Sequence, residues 1–219
     1  GPYYGMPLLE VGWTLNYEMI FYTLFAVSIL WGTKRYWFVY AIFTILVVII
    51  PTVYGFSVSN NYNVYRNYPF EYLNFLTNPI WLHFIFGVTL GLILPKLRFN
   101  KTFTKISLPL GITLFSLYYF QVLQLPFSTV NDIIFCGILM MSFLLNDMHA
   151  DGIQLPKPMV LLGNISFSVY LLHPLVFSYQ RTFFEKLNLH SSVNTNPYFV
   201  LAIITTIFIA ALFYYFFEL

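Results

Sequence analysis

Apolar residues run along this chain in long blocks, and polar residues gather in the intervals between them. Seven blocks approach the length of a bilayer-crossing helix: Leu15 to Trp31, Trp37 to Tyr54, Ile80 to Leu94, Ile106 to Leu123, Val130 to Leu145, Val160 to Tyr179 and Tyr198 to Phe217. A hydrocarbon core about 30 Å thick needs about 20 apolar residues per helix, with a range of about 17–25. The third and fifth blocks are short and draw on flanking residues. Pro69, Pro79, Pro95, Pro126, Pro156, Pro158 and Pro197 punctuate the intervals, where proline breaks regular structure. An outer-membrane barrel would instead alternate apolar and polar residues in short segments. The pattern predicts an all-α polytopic membrane protein with about seven transmembrane helices.

Composition agrees. Of 219 residues, 59% are hydrophobic and 8% are charged, against about 25% charged in a soluble domain. A water-soluble monomer is excluded, and the apolar content excludes a disordered chain. The single cysteine, Cys136, excludes a disulfide scaffold. A net charge of +2 spread over many intervals is no nucleic-acid patch. Walker A, Gly-rich dinucleotide and His/Cys metal motifs do not occur in the sequence. Two matches to the N-glycosylation pattern, Asn100-Lys101-Thr102 and Asn164-Ile165-Ser166, fall in a cytoplasmic interval and in an apolar block, and read as chance. The chain opens at Gly1-Pro2 without an initiator Met and ends at Glu218-Leu219, directly after an apolar run. These ends lead to the expectation of an interior piece of a longer protein rather than a protease scar at Gly1-Pro2, and with no basic n-region before the first block no cleavable signal peptide is readable.

Lys and Arg set the orientation. Lys34, Arg35, Lys96, Arg98, Lys101, Lys105 and Lys157 fall on one side, and Arg66, Arg181 and Lys186 on the other. Seven against three places residue 1 outside and residue 219 in the cytoplasm. The cluster from Lys96 to Lys105 fits this bias, and would also suit the phosphates of a nucleotide-like donor. Aromatic residues, 21% of the chain, crowd the block ends, as in Tyr3-Tyr4, Tyr36-Trp37 and Tyr62 to Tyr72, as interface anchors do. The outer interval from Ser57 to Asn78 is rich in Tyr and Asn, a composition suited equally to sugar contacts and to a membrane interface.

An ionisable group at mid-bilayer costs about 2.5–3.5 kcal/mol on insertion scales, so each one needs a reason. Glu18 shares a helix face with Thr14 and Tyr22, four residues away on either side. It reads either as a protonated or hydrogen-bonded structural group that holds helices together or as part of a site. His83 begins the series His83, Gly87, Gly91, and Gly-x-x-x-Gly is a close-packing face in lipid. Structural hydrogen bonding to a neighbouring helix is the expected role. Ser166, Tyr170 and His173 fall on one face, and Pro174 is expected to kink the helix there. His173 reads as a general base, as a donor to substrate, or as a group that satisfies the kink. By orientation, Glu18, His83, His173 and Asp132 all lie in the extracytoplasmic half.

Three stretches carry a family likeness. Trp13-Thr14-Leu15-x-x-Glu18-x-x-Phe21-Tyr22 resembles the W-S-L-x-x-E-x-x-F-Y signature of the acyltransferase 3 family, the integral-membrane O-acyltransferases that decorate bacterial polysaccharides. Leu162 to His173 resembles that family's late L-G-x-I-S-Y-S-x-Y-L-x-H segment. Phe84-x-x-Gly87-x-x-x-Gly91 resembles its middle segment, with His83 where an acidic residue is common. The three occur in family order across almost the whole chain. The resemblance implies a fold of about ten helices with both ends cytoplasmic, of which residues 1–219 would be a single acyltransferase-like domain lacking the first three. It implies transfer of an acyl group, usually acetyl, from acyl-CoA as donor substrate, with no bound cofactor or metal, to a glycan hydroxyl at the bacterial cell membrane. The family's Arg and His, separated by ten residues on the first helix, would lie upstream, so the catalytic residue is not among these 219. Trp13, Glu18, His83 and His173 are then the expected substrate-binding residues. A transporter or flippase-like protein is the competing class, since membrane ionisables and a proline-kinked helix serve there too, and a non-catalytic membrane partner is a third.

Overall fold

The computed structural model describes residues 12–97, 99–149, 155–187 and 195–218. Arg98 and residues 1–11, with the Tyr3-Tyr4 anchor, lie outside the described residues. The described chain is helical, with no strand. Its α-helices are α1 (Trp13–Ser28), α2 (Arg35–Thr44), α3 (Ile50–Val53), α4 (Tyr72–Leu76), α5 (Trp81–Ile93), α6 (Lys101–Tyr119), α7 (Thr129–His149), α8 (Lys157–Asn164), α9 (Ser166–Lys186) and α10 (Asn196–Phe213). A π-helical turn, Ile45–Ile49, joins α2 to α3, and another, Tyr214–Glu218, follows α10.

All seven apolar blocks are largely helical. Among the described residues, four helical runs are long and apolar enough to cross a membrane: Trp13–Val53, Tyr72–Lys96, Thr129–Asp147 and Asn196–Phe216. Counting α8 and α9 together as one bent span makes five. Helix α6 is not among them. It carries Thr102, Thr104, Lys105, Ser107 and an internal Pro109, which lower its hydropathy.

The first run, 41 residues long, holds the first two blocks and doubles back between them. At about 1.5 Å rise per residue, a straight helix would separate Phe21 and Phe43 by about 33 Å. Their ring centroids lie 6.1 Å apart. The reversal is at Gly32, whose φ of 54° and ψ of −119° belong to a region that only glycine enters at low cost.

The chain divides into two compact units, one of residues 16–149 and one of residues 12–15 with 155–218 among those described. In the first, an aromatic core joins α1, α2 and α5. Tyr17 lies 4.1 Å from Phe75 and 4.9 Å from Trp81, and Phe43 lies 5.1 Å from Trp81, centroid to centroid. Trp81 is fully buried and donates its indole N–H to the Phe75 carbonyl. Leu90, Leu94 and Leu145 form a second cluster, with Phe86, Phe99 and Met141 packed against it. In the second unit, α9 packs along α10. The buried stripe of α10 is Tyr198, Ala202, Thr206 and Ala210, four residues apart and mostly small, which permits close helix approach in lipid.

Two expectations need correcting. Among the described residues Gly87 and Gly91 are not a close-packing face, because a Cβ at either would meet nothing within 4 Å. The stacked rings of Phe21 and Phe84, 4.7 Å apart, stand between α1 and α5 near this point. The closely packed glycines are Gly111, against Ser142, and Gly137, against the ring of Phe86. The sixth block is not one straight helix: it bends by 67° between α8 and α9. Ile165, fully buried, occupies the bend, after Gly163 and Asn164, both weak helix formers. Past the bend, α9 runs through Pro174 without a break.

Candidate functional site

Each expected site residue can be placed. Trp13 opens α1 and is half-buried, in the second unit with His173. Glu18 and His83 belong to the first unit.

In the second unit, the first and last motifs are joined directly. The Thr14 hydroxyl and the Tyr170 phenol share a short hydrogen bond. Thr14 follows Trp13 at the start of α1, and Tyr170 stands on the same face of α9 as Ser166 and His173. One turn further, the Nδ1 of His173 bonds the Tyr170 carbonyl at 2.8 Å. That is the carbonyl an amide at position 174 would engage in a regular helix, and Pro174 has no N–H. So His173 does satisfy the proline, but with one nitrogen only. A carbonyl can only accept, so Nδ1 carries a proton and Nε2 points elsewhere.

In the first unit, Glu18 is half-buried on α1 and has neither a hydrogen bond nor an ion pair among the described residues. Tyr22, one turn on, lines a cleft of about 580 Å³ with Phe21, Phe25, His83, Phe84, Gly87 and Val88. The cleft is apolar apart from the Tyr22 and His83 tips. His83 bonds Ile80, three residues back in its own chain, through Nδ1 at 3.1 Å. It thus faces α1 across an open cleft, and its partner is its own backbone rather than the neighbouring helix.

The interval from Ser57 to Asn78 holds a polar network that the sequence did not reveal. Arg66 is buried. Its backbone N–H donates to Asn74 Oδ1 at 2.7 Å, and Asn74 Nδ2 donates to the Arg66 carbonyl at 2.6 Å. The guanidinium reaches the carbonyls of Thr77 at 3.4 Å and Ser57 at 3.3 Å. Asn78 donates to the Tyr62 carbonyl at 2.9 Å. Two of the asparagines that suggested sugar contacts are therefore turned inward, holding the loop. Tyr65, Phe70 and Tyr72 stay exposed. Asp132 accepts a short hydrogen bond from the Tyr118 hydroxyl. Burial, and then the nearby Asp132, push the phenol of Tyr62 above its ordinary range. Asp132 is thus tied to a tyrosine of α6. No three His, Cys, Asp or Glu side chains converge as a metal site among the described residues.

No curated protein and no solved structure matches the chain. The acyltransferase-domain family does match, over residues 4–215. That span contains all three motifs, and it crosses both units. The helical, multi-span architecture and the motif order agree with it, and this chain belongs to the acyltransferase 3 family of membrane acyltransferases.

Proposed function

We propose that this protein moves an acyl group, specifically acetyl, from acyl-CoA to a sugar hydroxyl of a cell-surface or exported polysaccharide. In that reaction the sugar oxygen forms an ester with the acyl carbon and the thioester C–S bond breaks. The hydroxyl proton ends on the CoA thiol. The family match over residues 4–215 carries this reading. The hydrogen bond between Thr14 and Tyr170 supports it, because it ties two motifs far apart in sequence into one local structure.

In this reading the chain crosses the bacterial cell membrane seven times, with residue 1 outside and residue 219 in the cytoplasm. Acyl-CoA arrives from the cytoplasmic side, and the glycan meets the outer side. Trp13, Glu18, His83 and His173 shape the substrate sites. Glu18, without a protein partner among the described residues, serves as a hydrogen-bond acceptor for a sugar hydroxyl. His83 stands at the apolar cleft of α1 and α5, and His173 presents Nε2. None of these is assigned the catalytic proton transfer.

Disruption of the native gene tests the proposal. Surface polysaccharide from intact cells should carry alkali-labile acetyl esters, visible as acetyl methyl signals by NMR, and the disrupted strain should lack them while still exporting the glycan. Loss of export with unchanged acetylation of the remaining glycan would favour the transporter reading instead.

A further inference from the structure

The residue that follows His173 controls which of its nitrogens is available. In an α-helix each N–H bonds the carbonyl four residues back. Residue 174 is proline, so it offers no N–H to Tyr170. The imidazole takes that place, with Nδ1 at 2.8 Å from the Tyr170 carbonyl. The Tyr170 phenol is itself tied to Thr14, so this turn of α9 is held at both ends of the tyrosine.

His83 supplies an internal comparison. Its Nδ1 also meets the carbonyl three residues back, at 3.1 Å. There the carbonyl of Ile80 also accepts the backbone N–H of His83 at 3.1 Å. Residue 84 is Phe, which has an amide. The shorter contact belongs to the histidine followed by proline.

We propose that Pro174 is a positioning residue: by withholding an amide from the Tyr170 carbonyl, it fixes His173 as the Nδ1–H tautomer and leaves Nε2 with a lone pair. A neutral imidazole held this way is a hydrogen-bond acceptor at Nε2. The group it receives is a donor, such as a sugar hydroxyl, and not the carbonyl of a thioester. This assignment of the bound group rests on the function proposed above; the tautomer assignment does not.

The chain labelled with ¹⁵N-histidine, in lipid nanodiscs, gives the test. Long-range ¹⁵N–¹H correlations distinguish the two tautomers at a pH where the ring is neutral, and loss of one signal set in His173→Gln assigns His173. The parent should show protonated Nδ1. Pro174→Ala restores a competing amide, and the ratio of Nδ1–H to Nε2–H should fall at least several-fold. A second variant carries an α-hydroxy acid at position 174, which replaces the amide by an ester with neither ring nor N–H. It should keep the parent tautomer. A parent-like Pro174→Ala, or an ester variant that loses Nδ1–H, would overturn the proposal. If Pro174→Ala does not accumulate, the ester variant alone decides by the same criterion. Absence of acyl transfer would count against the proposed function and leave this spectroscopic result untouched.

Discussion

The hydroxyl of Thr14, at the start of α1, and the phenol of Tyr170, in α9, are hydrogen-bonded to each other across 156 residues of sequence. Neither residue carries charge, and neither would stand out by burial. The bond matters because the chain to one side of each is rich in chemistry. Trp13 precedes Thr14, and His173 follows Tyr170 by one turn. A hydrogen bond between membrane helices is worth about 0.6 kcal/mol on average and up to about 1.7. Thr14→Val and Tyr170→Phe should each destabilise the protein by this order. In a double-mutant cycle, the two losses should fail to add, because the second change removes a bond already broken. Thermal unfolding in detergent micelles measures it. Strictly additive losses would mean the bond is not formed.

Close packing gives a second prediction. A Cβ at Gly111 would sit 2.8 Å from the Cβ of Ser142, where α6 meets α7. Overpacking of this kind costs about 1–3 kcal/mol. Gly111→Ala should therefore lower the unfolding temperature, whereas Gly87→Ala, which meets nothing, should leave it unchanged or raise it slightly. Equal destabilisation by both would restore the Gly-x-x-x-Gly face as a packing seam.

These two glycines mark what was legible in the sequence. The apolar blocks disclosed the helices, because length and hydropathy are what a bilayer demands. The motifs around Glu18 and His173 disclosed the family, because they combine polar residue types with fixed spacing. Which face of an apolar helix packs on protein was not legible. Lipid tails are as apolar as a protein interior, so hydropathy does not distinguish Gly111, against Ser142, from Gly87, against open space. The Arg66–Asn74 pairing escaped for a different reason: it joins the backbone of an irregular loop to a side chain of the short helix α4, eight residues on, and no periodicity links the two. The turn at Gly32 had a candidate signal, a glycine beside Lys34 and Arg35 between two apolar blocks. The bend at Ile165 had a weaker one in Gly163-Asn164.

The loop charges make a third prediction. Single cysteines at Asn61 and at Thr102, both exposed, can be introduced with Cys136 replaced by Ser. In intact cells, an impermeant thiol reagent should label the first and spare the second until the membrane is permeabilised. Labelling of position 102 alone in intact cells would reverse the topology.

Glu18 and His173 separate a site from helix glue. In membranes, Glu18→Gln and His173→Asn should reduce acyl transfer per folded molecule, while the protein still inserts and accumulates. Loss of a purely structural bond would instead cost only about 0.6–1.7 kcal/mol of stability. A group that takes part in proton transfer contributes about 10²–10⁴ in rate, so residues that only orient an acceptor should fall below that range. Unchanged specific activity in both variants would remove them from the site.

The most direct measurement is transfer itself. Membranes from cells expressing the native gene are supplied with acetyl-CoA labelled in the acetyl group, together with the polysaccharide they normally export. An acyltransferase predicts label in the glycan as an ester released by mild alkali, absent from membranes of cells with the gene disrupted. Equal labelling in both preparations, or glycan movement across the membrane that depends on the gene without any ester formed, would contradict the assignment of acyl transfer to this protein.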